Sequence, residues 1–245
     1  MTTSDLTQGL AAAMPLSFID LDPATKDKRF GLVIVDEVNG FVTVGAGALA
    51  PPVPNEQVST MVSETVNLAE YFTVQGCPIL AFLDTHAPGK AEPPYPPHCE
   101  AGTGEEELVP ELKWLETDAN TTLVKKDCIN GFIGATRKDG TNAVTDWVKE
   151  NGITDLLVVG ICTDICVMDF VLTSLSARNH DMLPGLKEIY VYDKGCSTYD
   201  LPRATAEEIG RGASAAHPQD VTHYMGLYFM ASRGAQLVNK VVLAT

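Results

Sequence analysis

Short apolar runs separated by helical stretches constrain this chain more than anything else in it. Gly31-Leu32-Val33-Ile34-Val35-Asp36 and Ile79-Leu80-Ala81-Phe82-Leu83-Asp84 are apolar almost throughout instead of alternating, and 155–160 and 188–193 continue the pattern, with 121–126 between them. A strand with one wet face alternates apolar and polar residues, so continuous runs mark strands covered on both faces. Helical spacing fills the gaps. Val58, Met61, Val62, Val66, Ala69 and Phe72 repeat on one face between a capping Asn55 and a stop at Gly76, and further helices are expected over 142–150, 164–179 and 218–234, with a last strand over 236–243. Strand alternating with helix calls for an α/β fold: a mostly parallel sheet with helices on both faces, joined by right-handed crossovers. At 245 residues one core suffices. The expected layout is an N-terminal extension over 1–29 and one domain over 30–245. That domain carries an irregular insertion over 85–120, rich in Pro, Gly and Glu, and loops of that length are usually functional or disordered.

Charge narrows the partners. With 17 Lys and Arg against 32 Asp and Glu, the net charge of −15 lacks the clustered cations a nucleic-acid surface needs, which leaves a small molecule as the expected ligand. No basic segment precedes an apolar stretch at the start, and no run approaches the roughly 18 apolar residues of a membrane span. The expectation is a soluble cytoplasmic protein with no membrane partner, its six cysteines thiols; a homo-oligomer stays open.

Ligands of open parallel sheets bind beyond the carboxyl ends of the strands, so Asp36, Asp84, Lys126 and the segment after Gly160 are expected to share one crevice. Gly160-Ile161-Cys162-Thr163-Asp164-Ile165-Cys166-Val167 leaves a strand and enters a helix, placing Cys166 in the first turn. Unpaired N–H groups and the helix dipole there favour a thiolate and can hold an oxyanion. Taken singly, Cys166 equally fits a packed core thiol, Asp36 a turn or cap residue, and Lys126 a solvated cation. Together they supply a nucleophile, a base for its proton and an ammonium for the charges. Asp84 and His86 lie on one side of an extended segment, and with His98 they make a carboxylate and two imidazoles. That donor set suits Zn²⁺ first, with Fe²⁺ or Mn²⁺ as alternatives, although histidines that only hydrogen-bond fit the spacing too. Glu105, Glu106 and Glu107 read as a solvated loop face or helix start. His180, His217 and His223 have no partner at ligand spacing, and Cys77, Cys99, Cys128 and Cys196 read as packing residues.

These motifs together resemble the isochorismatase-like cysteine hydrolases, and within them the plant nicotinamidases, over about 30–234. Asp36, Asn39 and Phe41 match the first motif, Lys126 with Asn130-Gly131-Phe132 the second, and Gly160 to Val167 the nucleophile motif. Tyr95-Pro96-Pro97-His98-Cys99 followed by Gly102-Thr103-Gly104 matches the loop that carries the subfamily signal. Val38 and Gly40 stand where many members have Gln and Asp, and Asn130-Gly131 replaces Ser-Ala. The resemblance implies a Rossmann-like three-layer α/β/α fold and a nicotinamidase that cuts nicotinamide to nicotinate and ammonia in NAD salvage. It implies Cys166 as nucleophile, Asp36 as base and Lys126 as electrostatic partner. The backbone N–H groups of Cys162 and Cys166 would form the oxyanion hole behind a cis Ile161–Cys162 peptide. It implies one divalent metal on Asp84, His86 and His98, without the further His of some bacterial members. Phe41, Tyr95 and Asn39 are implied at the substrate. The nearest alternative is an amidohydrolase of the same family acting on a ureido or carbamoyl substrate; an inactive ligand-binding or scaffold protein is the alternative of another class.

Overall fold

The computed structural model of the chain describes residues 3–90 and 92–243. The outermost residues of the expected extension and domain, and Ala91 of the insertion, lie outside the described residues. Seven strands form one sheet: β1 (Phe18–Leu21), β2 (Phe30–Val35), β3 (Ile79–Asp84), β4 (Thr121–Lys126), β5 (Asp155–Ile161), β6 (Glu188–Ser197) and β7 (Gln236–Val241). Their order is β1-β7-β6-β5-β2-β3-β4, with every neighbouring pair parallel. The helices are α1 (Thr3–Ala13), α2 (Asn39–Val42), α3 (Glu56–Val74), α4 (Gly131–Gly134), α5 (Ala143–Glu150), α6 (Met168–Asn179), α7 (Arg203–Glu208) and α8 (Gln219–Ala231).

The continuous apolar runs lie where both faces are covered. In β2, Leu32 and Ile34 join a core with Met61, Leu68 and Phe72 of α3, while Val33 and Val35 join the opposite core with Trp147 of α5, Phe170 of α6 and Met230 of α8. Fully burying such a side chain contributes roughly 1.5–3 kcal/mol. The expected Asn55 cap is made, its Oδ1 accepting from Val58 N at 3.0 Å, and the structure adds Asn142, whose Oδ1 accepts from Val144 N and Thr145 N at 2.9 and 3.2 Å. Each contributes about 1 kcal/mol.

Three features depart from the sequence reading. First, β1 sits within the stretch expected as an extension and pairs with β7 at the sheet edge. Its three leading residues are exposed, so it has no continuous apolar run to betray it. Second, the insertion is not irregular throughout, because a 3₁₀ helix at Pro110–Glu116 buries Leu112 and Leu115 against the α3 face. Third, the helix expected from residue 164 opens with a wide, π-helical turn over Thr163–Val167, closed by Val167 N donating to Cys162 O at 3.1 Å, and runs on as α6 from Met168.

The chain leaves β2 toward β3 and β4, then returns to β5 on the other side of β2, which opens a crevice at the carboxyl ends of these strands. Gly160 has φ +123°, and a Cβ there would be driven into the Val35 carbonyl. Only glycine lets β5 lie that close to β2 at the point where the two strands deliver Cys162 and Asp36.

Candidate active site

Four strand ends supply the central cluster. Asp84 and Lys126 are register partners across β3 and β4, so their side chains leave the sheet on the same side. Lys126 Nζ lies 2.8 Å from Asp84 Oδ1 and 2.8 Å from Asp36 Oδ2, with all three side chains buried. Asp36 ends β2 with φ +54°, a left-handed conformation that costs a non-glycine residue on the order of 1 kcal/mol and concentrates at functional sites. Lys126 pairs with the Asp36 carboxylate, and the Cys166 thiol lies close enough for the same carboxylate to receive its proton. Burial pushes the Asp36 carboxyl up to about 6 against the pull of Lys126. Burial also opposes the Lys126 charge, but Asp36, Cys166 and Asp84 outweigh it and hold the ammonium well above the usual lysine range.

Cys166 is buried in the wide, π-helical turn that opens α6, the first turn in which the sequence places it. Burial raises its thiol above the usual range, outweighing the pull of the nearby Lys126. Cys162, which opens the turn, is pushed up to about 12 by burial and by the Asp164 charge. The Ile161–Cys162 peptide is cis.

Beside this cluster Asp84, His86 and His98 converge, all buried, with ligand atoms within 4.8 Å of one another. His86 Nε2 and His98 Nε2 lie 3.0 and 3.2 Å from Asp84 Oδ2. Ligand atoms around one tetrahedral ion with bonds of about 2 Å lie roughly 3.3 Å apart, so the spacing fits a divalent cation. His98 Nδ1 lies 2.7 Å from the Pro96 carbonyl, which orients the ring and turns Nε2 inward toward Asp84. Burial pushes Asp84 up, but His98 and Lys126 prevail and hold it down at about 2, a carboxylate fit to bind a metal. The sequence reading missed Glu92. Its Oε2 lies 3.6 Å from His86 Nε2 and 3.7 Å from His98 Nε2, and its Oε1 accepts from Ile129 N at 2.8 Å. A glutamate in a Pro-rich loop gives no spacing signal, and only the fold of the insertion brings it here.

The aromatic candidates border the same place. Phe41 lies 5.5 Å and Tyr95 6.1 Å, between ring centroids, from His98. Asn39 Nδ2 donates to Gly104 O at 3.0 Å and its Oδ1 accepts from Thr43 Oγ1 at 2.7 Å, so it ties α2 to the loop that carries the metal group. The glutamate run is not a solvated face. Glu106 is buried and accepts from Gly102 N and Gly104 N at 2.5 and 2.9 Å, and Glu105 accepts from Cys99 N at 2.9 Å; Glu107 is exposed and pairs with Lys113. Close packing explains one departure from the family pattern, because a side chain at Gly40 would meet Cys99 Sγ at 2.6 Å. Asn130 caps α4, accepting from Ile133 N at 3.0 Å, and donates to Thr173 Oγ1 at 2.7 Å. His217 and His223, set aside in the sequence, each face an aspartate: Asp164 and Asp193, both at 2.8 Å.

A buried thiol, carboxylate and ammonium at the carboxyl ends of a parallel sheet, beside a His-His-carboxylate group, define a cysteine hydrolase site of the α/β class. The isochorismatase domain model matches residues 31–222, and the chain belongs to that family. Nicotinamidase 1 of Arabidopsis thaliana is 54% identical over 220 residues, which cover 90% of this chain and 89% of that protein. Among solved structures, nicotinamidase PncA of Bacillus subtilis matches with a TM-score of 0.64 at 22% identity, covering 86% of this chain and all of that one. A pyrazinamidase of Pyrococcus horikoshii in complex with zinc matches with a TM-score of 0.59 at 21% identity, covering 86% of this chain and 99% of that one. At these identities the two structures are likenesses of fold. Among the described residues no helix is long and apolar enough to cross a membrane.

Proposed function

We propose that this protein is a nicotinamidase, hydrolysing nicotinamide to nicotinate and ammonia through Cys166, Asp36 and Lys126. The observation that carries the reading is the burial of those three groups in contact with the Asp84, His86 and His98 cluster through the Lys126–Asp84 pair at 2.8 Å. Asp36, beside the thiol and with a raised pKa, takes the Cys166 proton as the sulfur attacks the carboxamide carbon. Lys126 offsets the charge that appears on sulfur and oxygen, and the backbone N–H groups of Cys162 and Cys166 receive the oxyanion. Asp36 then passes its proton to the leaving ammonia, and the thioester left on Cys166 is hydrolysed by water to nicotinate and free thiol. A divalent ion held by Asp84, His86 and His98, zinc first with iron or manganese as alternatives, would act as a Lewis acid toward the pyridine nitrogen and fix the ring. Phe41 and Tyr95 bracket the ring, and Asn39 keeps the loop in place around it. The relatives named above support both the substrate and the zinc.

In this reading residues 30–245 are the hydrolase domain, and 85–120 carry its metal and ring contacts. The partner is a small molecule and not a nucleic acid, in keeping with a net charge of −15. We place the enzyme in the cytoplasm, where a reducing medium maintains its free cysteines, and in NAD salvage. Ammonia release measured with nicotinamide, benzamide and a ureido acid tests the substrate. Nicotinamide turns over fastest, because benzamide has no ring nitrogen for the metal. Faster turnover of either competitor would leave the family in place and remove this substrate.

A further inference from the structure

The wide turn Thr163–Val167 is held from behind by α8. Gly226 of α8 packs so closely that a Cβ there would lie 2.8 Å from Asp164 Cα, and the residues just before and within the helix reach the turn with two imidazoles. His223 Nδ1 lies 2.7 Å from Thr163 Oγ1, and its Nε2 lies 2.8 Å from Asp193 Oδ1. A hydroxyl can donate or accept, so these two contacts need only one ring N–H. His217 is different. Its Nε2 lies 2.8 Å from Asp164 Oδ2 and its Nδ1 2.9 Å from the Tyr199 carbonyl. A carboxylate and a carbonyl only accept, so both contacts are made together only when both ring nitrogens carry hydrogen. The ring also stacks on Tyr199 at 3.8 Å with planes 12° apart, an arrangement that suits a cation on an aromatic face.

We infer that His217 is a positioning residue of the hydrolysis: as an imidazolium it grips the Asp164 carboxylate and so fixes the turn that carries Cys162 and Cys166. This rests on the reading of Cys166 as the nucleophile. The groups facing the ring are the Asp164 carboxylate from the turn, the ring and carbonyl of Tyr199 from the segment after β6, and the Thr222 hydroxyl at 3.3 Å from α8. Asp164 Oδ1 in turn accepts from Thr198 Oγ1 at 2.7 Å, so the carboxylate is held at both oxygens. Burial pulls the His217 pKa down, but the bond to Asp164 outweighs it and the net shift is upward. Loss of the proton leaves one acceptor facing a lone pair, and it leaves Asp164 as an unbalanced negative charge at the opening of the turn where the oxyanion forms.

The test combines ¹⁵N-histidine NMR of the intact protein with kinetics of His217→Gln, a variant whose folding is checked by circular dichroism. The NMR titration shows His217 doubly protonated to a pH clearly above the usual histidine value. In His217→Gln, kcat for ammonia release falls on the order of tenfold to a hundredfold while KM stays within about twofold, the pattern of a misplaced reacting group. The alkaline limb that tracks the His217 titration in the wild type disappears from the variant profile. A singly protonated ring at neutral pH overturns the inference, and so does a folded variant with unchanged kcat and pH profile. Alkylation of Cys166 by iodoacetamide separates this failure from failure of the amidase reading. If the wild type releases no ammonia, the substrate is wrong, while an alkylation rate changed by His217→Gln still supports the grip on the turn and an unchanged rate refutes it.

Discussion

Replacing Glu37 with Gln should remove a large pH dependence of stability without touching the chemistry. Glu37 is fully buried between β2 and α3, its Oε1 accepting from Thr65 Oγ1 at 2.6 Å and its Oε2 without a partner. Burial pushes the carboxyl from its ordinary 4.5 up to about 8, and the Thr65 bond offsets this only in part. Because the folded pKa lies above the unfolded one, this group's stabilisation is fully present below about pH 4.5 and is lost as pH rises through about 8. Between those limits the unfolded chain has released a proton that the folded chain retains, so stability falls as pH rises. Each pH unit is worth a little over 1 kcal/mol, which gives about 3 kcal/mol between pH 5.5 and 7.5. Gln keeps the acceptor for Thr65 and does not titrate. Urea unfolding of both proteins at pH 5.5 and 7.5 checks the difference of differences, in which every other titrating group cancels. Glu37→Gln should gain about 3 kcal/mol relative to the wild type over that interval. A wild-type-to-variant gap that stays constant with pH would refute the argument that this carboxyl is buried and protonated.

Two further outcomes follow from the site. Dialysis against a strong chelator should strip about one divalent ion per chain and abolish ammonia release, with Zn²⁺ or Mn²⁺ restoring it, and Glu92→Gln should retain the ion less tightly by elemental analysis; a metal-free, fully active enzyme would contradict this. The acid limb of kcat/KM should fall at about pH 6, because the base must be unprotonated and burial has raised Asp36 to that value; a profile flat down to pH 4.5 would exclude Asp36 as the base.

The legible parts of this protein were those with local signatures. Continuous apolar runs located β2, β3, β5 and β6 because burial on both faces erases alternation, and Asn55 announced its helix through capping chemistry. Asp36, Asp84 and Lys126 could be grouped because each ends or follows a strand of one parallel sheet, and register then made Asp84 and Lys126 neighbours. What escaped depends on tertiary contact. Edge strand β1 is exposed at three of its four residues and has no distinguishing run, and Glu92, Glu105 and Glu106 take their roles from the path of a loop whose sequence alone reads as solvated. His217 and His223 find their aspartates 53 and 30 residues away, beyond any ligand-spacing rule. Thr163 and Asp164 mark the helix start that carries the thiol, but nothing local in them distinguishes a wide, π-helical first turn from an α-helical one.

In the proposed mechanism the Cys166 sulfur attacks the amide, and the most direct measurement of that role is ammonia release from nicotinamide by Cys166→Ala. In the proposed mechanism the metal group, Phe41 and Tyr95 hold the ring without the sulfur, so the variant should still bind nicotinamide while its rate falls by at least about a thousandfold, the loss expected when one member of a concerted catalytic set is removed. Ammonia release at the wild-type rate from a folded Cys166→Ala protein would contradict it.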